Sequence, residues 1–345
     1  MAGLLSLATA VPPFELRTEE VIREARAIFG GRHQDFDRLV PVFGNSGIAR
    51  RFSVKPYDWF HQLQGWPERS AAFLESACAL FDEVSSAALD QAGLQPADID
   101  SIVMVSSTGI ATPSIEARML SGMGFRPDVQ RVPVFGLGCA GGASGLSLAA
   151  RLAQATPGSH VLLVVIELCT LAFRPDEMSK SNVIATALFG DGAAAAVLST
   201  SGQPMAVIEH AGEHTWPETT DIMGWRMDAE GFGAIFSRSI PELATTDLRP
   251  AADQFLARHG LALADVASFC FHPGGAKVII ALEQAFNLSA GQLQSERSVL
   301  RDFGNMSAPT VLFVLARELQ AASAGRRFLS ALGPGFTASF ITMLH

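Results

Sequence analysis

The stretch Pro96-Ala-Asp-Ile-Asp-Ser-Ile-Val103 has a near copy 167 positions later, Leu263-Ala-Asp-Val-Ala-Ser-Phe-Cys270. A second pair, Ala149-Ala-Arg-Leu-Ala-Gln-Ala155 and Leu315-Ala-Arg-Glu-Leu-Gln-Ala321, is separated by 166 positions. A short turn and then an apolar run follow each member of the second pair. Two matches at nearly the same offset predict an internal duplication, in which two α/β halves are related by a pseudo-twofold axis.

Short apolar runs alternate with longer Ala/Leu-rich segments throughout the chain, which is typical of α/β proteins. We predict strands at Ile102–Ser106, Val161–Ile166, Ala193–Leu198, Ala206–Ile208, Phe269–Phe271 and Ser339–Leu344. We predict helices at Ala71–Ala92, Ala140–Ala155, Leu248–His259, Lys277–Phe286 and Ser307–Ala322. Several strands are apolar throughout, as expected when helices cover both faces of a sheet. We place the first half at residues 1–200 and the second at residues 201–345.

Composition excludes several classes of protein. Of 345 residues, 48% are apolar and 17% charged, which allows a large core and argues against disorder. The net charge of −9 argues against nucleic-acid binding. Four scattered cysteines without a CxxC pair indicate a reduced, cytoplasmic protein. The apolar N-terminus predicts a first strand, and the run Val161–Phe173, interrupted by Glu167, is too short to span a bilayer. We therefore expect a soluble protein with no integral membrane association.

Cys139 is the first candidate for chemistry. It lies in Phe135-Gly-Leu-Gly-Cys-Ala-Gly-Gly-Ala-Ser-Gly145, between a strand-like run and a helix. At a helix N-terminus, unpaired N–H groups and the helix dipole lower the pKa of a thiol. The glycines permit a strained turn and leave room for a substrate. A buried structural cysteine is the alternative, to which we assign Cys78, Cys169 and Cys270 because they lie within helical or strand patterns.

His272 and Asn305 are the second and third candidates. His272 follows a predicted strand and precedes a Pro-Gly-Gly turn, and strand ends are where open α/β sheets place ligands. Asn305 precedes a helix 166 positions after Cys139, so the two residues occupy equivalent places in the two halves. A pseudo-twofold axis would bring both helix N-termini towards a common centre. Against these roles stand a satisfied core histidine and a helix-capping asparagine.

Two further motifs are interpreted as not functional. Gly136-x-Gly138-x-x-Gly141 matches a dinucleotide fingerprint, but no acidic residue stands at a strand end about twenty positions on. His210-Ala-Gly-Glu-His214 matches an inverted zinc-protease motif, which requires a helix. Here a strand precedes it and Gly212 interrupts it. We predict no metal site and no cofactor.

Six segments occur in the order typical of one enzyme family: Ser107-Thr-Gly-Ile-Ala-Thr-Pro113, Gly136-Leu-Gly-Cys-Ala-Gly-Gly142, Ala187-Leu-Phe-Gly-Asp-Gly-Ala193, His272-Pro-Gly-Gly275, Gly304-Asn-Met-Ser307 and Gly333-Pro-Gly-Phe336. Together they make the chain resemble the type III polyketide synthases, the chalcone synthase family, over nearly its whole length. The resemblance implies the duplicated αβαβα thiolase fold and a homodimer. It also implies acyl-CoA and malonyl-CoA as substrates, with no carrier protein.

The resemblance also implies roles for individual residues. The family's nucleophile, histidine and asparagine correspond to Cys139, His272 and Asn305. Its aromatic gatekeeper corresponds to Phe189, and its cyclisation loop to Gly333, Pro334, Gly335 and Phe336. Its remaining cavity positions correspond to Ser107, Thr112, Ala185, Gly224 and Ala234. Ala234 stands where the plant enzymes carry a second gatekeeping phenylalanine.

Contacts to CoA follow the family pattern only in part. Arg38 matches a basic residue that grips the CoA phosphates in plant enzymes, whereas Pro41 and Asn45 do not match such residues. Arg50 or Arg51 is expected to substitute for them. Further CoA contacts are expected from three residues beside the histidine turn: Gly274, Gly275 and Lys277.

The product class is predicted from the branch of the family. Val40–Trp66 and Gly109–Ser114 resemble bacterial members that make alkylresorcinols or alkylpyrones from fatty acyl starters. A tetrahydroxynaphthalene-type synthase that uses malonyl-CoA as starter is the first competing hypothesis, although such enzymes commonly carry a cysteine at the position of Ser107. A β-ketoacyl-acyl-carrier-protein synthase III is the second. The third, from a different class, is an inactive thiolase-fold dimer that acts as a binding or scaffold subunit.

Overall fold

Both members of the sequence repeat end in strands of one mixed β-sheet in the computed structural model of the chain, which describes residues 1–30, 36–237, 239–321 and 324–345. The strands are β1 (Ala2–Ala10), β2 (Phe14–Arg17), β3 (Arg50–Ser53), β4 (Ser101–Val105), β5 (Gln130–Val134), β6 (His160–Leu168), β7 (Asp191–Ser199), β8 (Ala206–Thr215), β9 (Met223–Asp228), β10 (Gly231–Phe236), β11 (Ser268–Phe271), β12 (Arg326–Gly333) and β13 (Thr337–Leu344).

The helices lie between these strands. They are α1 (Thr18–Phe29), α2 (Phe36–Gly44), α3 (Tyr57–Phe60), α4 (Trp66–Ala92), α5 (Ile115–Met123), α6 (Gly141–Ala155), α7 (Lys180–Leu188), α8 (Ile240–Thr246), α9 (Leu248–Arg258), α10 (Ala276–Ala285), α11 (Gln294–Phe303) and α12 (Pro309–Gln320). Among the described residues, none of these helices is both long and apolar enough to cross a bilayer.

The strand order of the main sheet displays the duplication. Nine strands run in the order β11-β12-β13-β8-β1-β7-β6-β4-β5. In the first half, β4 and β6 are parallel neighbours and β7 is antiparallel to β6. In the second half, β11 and β12 are parallel neighbours and β13 is antiparallel to β12. Strand β1 pairs with both β7 and β8, which joins the halves. Two short sheets, β2–β3 and β9–β10, stand apart.

Helices form layers on both faces of this sheet. Helices α6 and α12 contact each other and strands of both halves, so they form the central layer. Alternate residues of β6 face this layer (Val161, Leu163, Val165) or face α4 on the outside (Leu162, Val164, Ile166). Helices α8, α9 and α10 cover the outer face of the second half. The predicted duplicated αβαβα thiolase-like fold is confirmed.

The element boundaries differ from the predicted ones where local capping decides them. Helix α4 begins at Trp66, five residues before the predicted start. Pro67 occupies its first turn, and the Gly65 N–H donates to Glu68 Oε2 at 3.0 Å. The last predicted helix was extended to Ala322, which lies outside the described residues, and α12 ends at Gln320. The division at residue 200 stays a prediction, because the sheet is continuous through β1 and β8.

Candidate active site

Cys139 lies in the tight turn that leads from β5 into α6. Gly136 and Gly138 have φ angles of +95° and +49°, which favour glycine. The Ser107 hydroxyl oxygen accepts hydrogen bonds from the N–H groups of Gly136 at 3.2 Å and Gly138 at 3.0 Å. The predicted cavity residue Ser107 therefore holds the turn in shape. Cys139 keeps partial access to solvent, unlike Cys169 and Cys270, which are buried.

His272 follows β11 directly, as predicted. Its N–H donates to Ser330 O on β12 at 2.9 Å, and on the opposite side of the strand the Phe271 N–H donates to Glu296 Oε1 at 2.8 Å. The side chain is buried, and neither ring nitrogen has a hydrogen-bond partner among the described residues. A buried imidazole without a partner needs one, because an unsatisfied buried polar group costs free energy. A substrate oxygen or thiol would supply it.

Asn305 lies ahead of α12, and both the nitrogen and the oxygen of its side-chain amide form hydrogen bonds. Its Nδ2 donates to Gly274 O at 3.1 Å, which places it beside the turn that follows His272. Its Oδ1 accepts from the Ser307 N–H at 2.8 Å, a local contact of the kind that a helix-capping asparagine makes. Because Nδ2 carries two hydrogens, one N–H stays free for a second acceptor.

The three candidates converge through shared neighbours. The turn that carries Cys139 packs on the end of β12, where a Cβ on Gly333 would lie 2.6 Å from Ala140 Cβ. Strand β12 is also the neighbour of β11, which ends directly before His272. Ser307, two residues after Asn305, lies close enough to Cys139 to lower the pKa of its thiol. The pseudo-twofold thus brings the two helix entries together.

Burial shifts the pKa values of Cys139 and His272 in opposite directions. Burial raises the pKa of the Cys139 thiol to about 12, against a smaller lowering effect of Ser307. Burial alone lowers the pKa of His272 to about 4. Each group by itself therefore favours its neutral form.

Glu167 is a component of the site that the motifs did not reveal. Its Oε2 accepts hydrogen bonds from the Ser107 N–H at 2.9 Å and Thr108 Oγ1 at 2.8 Å. Burial raises its pKa to about 8, so the carboxyl is mostly protonated at neutral pH. It also raises the pKa of the Cys139 thiol through its negative form. The sequence signal was a lone acidic residue within the longest apolar run.

A small apolar cluster surrounds the predicted gatekeeper. Phe189 and Ala185 pack with Cys169 and Ala234, and all four are buried. Two aromatic side chains of the β9–β10 hairpin flank Phe189, with ring centroids 5.7 Å (Trp225) and 5.3 Å (Phe236) away. The space that alanine leaves at position 234 is thus walled by aromatic rings. Trp225 was not predicted.

Residues of the Gly333–Phe336 loop lie partly at the site and partly in the core. Pro334 faces the site, because a Cβ on Gly138 would lie 2.6 Å from Pro334 Cδ and one on Gly224 would lie 4.0 Å from its Cβ. Gly335 has a φ of +123°. Phe336 is only 1% exposed and packs on Trp216 with ring centroids 5.5 Å apart. Phe336 is therefore part of the core in this structure, and the role of the loop at the cavity stays a prediction.

Two more predicted positions differ in their exposure to solvent. Thr112 is exposed, and its role as a cavity residue stays a prediction. Arg51 is 5% exposed, and its guanidinium donates to Thr186 O, while burial lowers its pKa to about 10. The predicted contact of Arg51 to CoA phosphates stays a prediction.

The remaining predicted CoA contacts lie at the surface or beside the site. Arg38 is exposed on α2, and Lys277 is exposed in the first turn of α10. Arg50 is exposed and lies 3.5 Å from Glu15 Oε2. Gly274 and Gly275 form the turn between His272 and α10, and a Cβ on Gly274 would lie 3.8 Å from His272 Nε2. Their contacts to CoA stay predictions.

The histidines of the rejected zinc motif lie on a strand. His210 and His214 belong to β8, where four residues span about 13 Å. His210 instead stacks on His259 with ring centroids 4.0 Å apart. The two motif histidines therefore cannot share one metal ion.

Comparison with protein families identifies the chain. The family model for the N-terminal domain of chalcone and stilbene synthases matches residues 65–202, and the model for the C-terminal domain matches residues 207–343. The chain belongs to the chalcone and stilbene synthase family. It is therefore a condensing acyltransferase of the type III polyketide synthase class, and the predicted family and enzyme class are confirmed.

Individual relatives align with nearly the whole length of the chain. A putative chalcone synthase of Bacillus subtilis (strain 168) is 38% identical, with 99% of this chain and 98% of the relative aligned. A 1,3,6,8-tetrahydroxynaphthalene synthase of Streptomyces peucetius subsp. caesius is 39% identical, with 99% and 92% aligned. The crystal structure of 1,3,6,8-tetrahydroxynaphthalene synthase from Streptomyces coelicolor A3(2), a bacterial type III polyketide synthase, has a TM-score of 0.95 at 28% identity and covers 99% of both chains.

Proposed function

We propose that this type III polyketide synthase takes a medium- or long-chain fatty acyl starter from CoA. It would extend the starter by iterative decarboxylative Claisen condensation with malonyl-CoA and release alkylpyrone or alkylresorcinol products. The observation that carries the proposal is a narrow chamber of about 70 Å³, lined mainly by apolar side chains and partly open to solvent.

The gatekeeper Phe189 is one of the residues that line the chamber, together with Ala185 and Cys169. The other apolar lining residues include Val21, Ala25 and Ile28 of α1 and the aromatic residues Tyr57, Phe60 and Phe173. The polar lining residues are Glu24, Arg51, Thr170 and Thr186. An acyl tail would gain about 0.8 kcal/mol for each methylene that it buries there. Preference should therefore rise with starter length until the chamber is full.

The proposed reaction begins at Cys139. Its thiolate attacks the thioester carbonyl carbon of the starter, and the CoA thiolate leaves. Malonyl-CoA then loses carbon dioxide, and the electron pair of the broken C–C bond forms an enolate. The enolate carbon attacks the acyl-cysteine, and the Cys139 thiolate leaves with its electron pair. His272 and the free N–H of Asn305 would donate to the thioester oxygen in these steps and stabilise its negative charge.

The proposed nucleophile requires an acid–base partner, because burial alone keeps the Cys139 thiol neutral. We propose that His272 is this partner and that the two residues form a thiolate–imidazolium pair before the starter is bound. The pair would make the thiol a nucleophile at neutral pH. The mechanism requires no metal or redox cofactor, because loss of carbon dioxide supplies the carbanion.

A second candidate function has support from the relatives. Tetrahydroxynaphthalene synthases from Streptomyces species are 39% and 30% identical to the chain. An enzyme of that type would start with malonyl-CoA and make 1,3,6,8-tetrahydroxynaphthalene. Such a starter has no apolar tail and would leave the chamber beside α1 unused. We therefore rank it second.

A starter series separates these functions. Purified enzyme is given malonyl-CoA with acetyl, hexanoyl, decanoyl or hexadecanoyl-CoA, or with no starter, and products are identified by mass. The proposal predicts that turnover rises with chain length. Equal turnover for all starters, or a preference for malonyl-CoA alone, would contradict it. Malonyl-acyl-carrier protein as the required donor would indicate a ketoacyl synthase, and Cys139→Ala serves as the inactive control.

We also propose a homodimer, as in the sequence-based expectation. Strand β5 forms one edge of the main sheet, so its backbone groups on that side are free to pair. Phe135, directly after β5, and Ile110 are 45% and 53% exposed. A second copy that packs on this edge would cover both. Light scattering during size exclusion should give twice the chain mass, and a monomer at micromolar concentration would refute the proposal. A cytoplasmic location stays a prediction.

A further inference from the structure

The β9–β10 hairpin forms one wall of the gatekeeper cluster without belonging to the main sheet. It is a separate two-stranded sheet, so no backbone ladder fixes its position against the rest of the fold. Yet it carries Ala234, Trp225 and Phe236, which pack around Phe189. The contacts that hold the hairpin in place therefore determine how much space is left beside Phe189.

One buried arginine holds the turn of this hairpin. Arg174 is 4% exposed, and its guanidinium forms a bidentate ion pair with Asp228, at 2.7 Å to Oδ1 and 2.8 Å to Oδ2. The same group donates to Gly231 O at 2.7 Å and to Phe232 O at 3.2 Å. It thus binds the last residue of β9 and the first two of β10. Its hydrogen bonds hold the pKa of Asp228 well below the usual range.

The backbone of Arg174 is tied to the helix that carries the gatekeeper. Asn182 Nδ2 on α7 donates to Arg174 O at 2.7 Å and to Glu177 O at 2.8 Å. Helix α7 ends at Leu188, directly before Phe189. Phe189 lines the chamber, and the hairpin packs against Phe189 without lining the chamber itself. Arg174 therefore connects the hairpin with the helix that positions Phe189.

We propose that Arg174 is a positioning residue that fixes the distance between the hairpin wall and Phe189 and thereby sets the selection of starter length. Lysine could not replace it, because an ammonium group lacks the planar fork that holds Asp228 and two carbonyls at once. If the hairpin were held less firmly against Phe189, this ring would lose its fixed position at the chamber, and short and long tails would fit equally poorly. The inference rests on the proposed function, since it assumes that the acyl tail lies in this chamber.

The test compares one buried arginine with one exposed arginine on the same partners. Arg226 is 51% exposed and also contacts Asp228, at 3.1 Å, and Glu177, at 3.0 Å. Exposed pairs of this kind contribute little. Arg174→Lys, Asp228→Asn and the control Arg226→Gln are each assayed for kcat/KM with hexanoyl- and dodecanoyl-CoA. Alkylation of Cys139 by iodoacetamide and the thermal midpoint are measured in parallel.

Arg174→Lys and Asp228→Asn should lower the dodecanoyl-to-hexanoyl ratio of kcat/KM by about tenfold, the size of effect expected when the fit of a methylene is lost. The change should lie mainly in KM, with the alkylation rate unchanged, and Arg226→Gln should keep the wild-type ratio. An unchanged ratio, or an equal fall for both starters with a lower thermal midpoint, would overturn the proposal. If Arg174→Lys does not fold, the ratio measured for Asp228→Asn alone tests the proposal.

The assay also shows whether the proposed starter class is wrong, independently of the result for Arg174. If the wild-type enzyme prefers malonyl-CoA as its own starter, the starter class is wrong whatever the variants do. The Arg174 proposal is then tested by the number of malonyl units in the products. A broader distribution in Arg174→Lys than in Arg226→Gln supports it, and identical distributions refute it.

Discussion

The main chains of Phe189 and Asn305 form a short parallel β-bridge. The Asn305 N–H donates to Leu188 O at 2.9 Å, and the Gly190 N–H donates to Asn305 O at 3.0 Å. The predicted gatekeeper and the predicted oxyanion residue thus come from different halves of the chain but share one backbone contact. Displacement of either would move its partner, which couples the width of the chamber to the geometry of the proposed reaction centre.

The first prediction distinguishes the catalytic role of His272 from that of Asn305. Asn305→Ala should slow malonyl-CoA decarboxylation about 100- to 1000-fold, because one oxyanion donor is lost. It should affect starter loading less, because an amide carries no charge with which to stabilise a thiolate. His272→Ala should impair both steps. Release of carbon dioxide and acylation of the protein are measured separately, and wild-type decarboxylation by Asn305→Ala would disprove the assigned role.

The second prediction concerns the proposed ion pair. The rate of Cys139 alkylation by iodoacetamide should show an inflection below about pH 8.5, the pKa of a free thiol, in the wild-type enzyme. His272→Ala should move the inflection upwards, because burial then acts on the thiol unopposed and raises its pKa towards about 12. Peptide mapping shows that the label is on Cys139 and not on Cys78. The same inflection in both proteins would exclude the pair.

Glu167 gives a prediction about stability. Its pKa of about 8 in the fold lies above that of the unfolded chain, about 4.3. Between these values the native state keeps a proton that the unfolded state has lost, so this group makes the protein less stable as the pH rises. Glu167→Gln cannot titrate, and its thermal midpoint relative to wild type should therefore rise from about pH 5 to about pH 8.

The control for Glu167 is an exposed glutamate. Glu75 has a side chain that is 78% exposed, and Glu75→Gln should show no such trend. A difference between Glu167→Gln and wild type that is constant across the pH range would mean that the carboxyl is already ionised in the fold.

A fourth prediction concerns the packing around Phe189. Ala234→Phe places a ring in the cluster of Phe189, Trp225 and Phe236. The added ring should push Phe189 towards the chamber and shift the preferred starter to shorter chains, while Cys139 stays reactive. Ala229→Phe on the exposed tip of the same hairpin is the matched control. Competition between hexanoyl- and dodecanoyl-CoA measures the preference. An unchanged preference in Ala234→Phe would mean that the acyl tail does not pass this wall.

The sequence predicted those features that depend on local chain geometry. Cys139 and His272 stand at a helix entry and a strand end, and both places can be identified from neighbouring glycines, prolines and apolar runs. The fold followed from the repeat, because the offset of 166 or 167 positions relates whole elements and not single contacts.

Features that depend on contacts distant in sequence could not be predicted. Arg51 carries a guanidinium group, which commonly binds phosphates. Its side chain instead points inward and donates a hydrogen bond to Thr186 O, 135 positions away. Phe336 belongs to a family cavity loop, yet it packs on Trp216 in the core. Trp225 and Arg174 make contacts that depend on the position of the hairpin, which is set by side chains and not by a backbone ladder.

The proposed mechanism depends on Cys139 as the carrier of the growing acyl chain. Mixing the enzyme with dodecanoyl-CoA in the absence of malonyl-CoA, digesting it and sequencing the peptides locates the added acyl mass. We expect one acyl group on the peptide that contains Cys139, none in Cys139→Ala, and its disappearance with product formation when malonyl-CoA is added. Acylation of a different residue, or undiminished product formation by Cys139→Ala, would show that the nucleophile is misassigned.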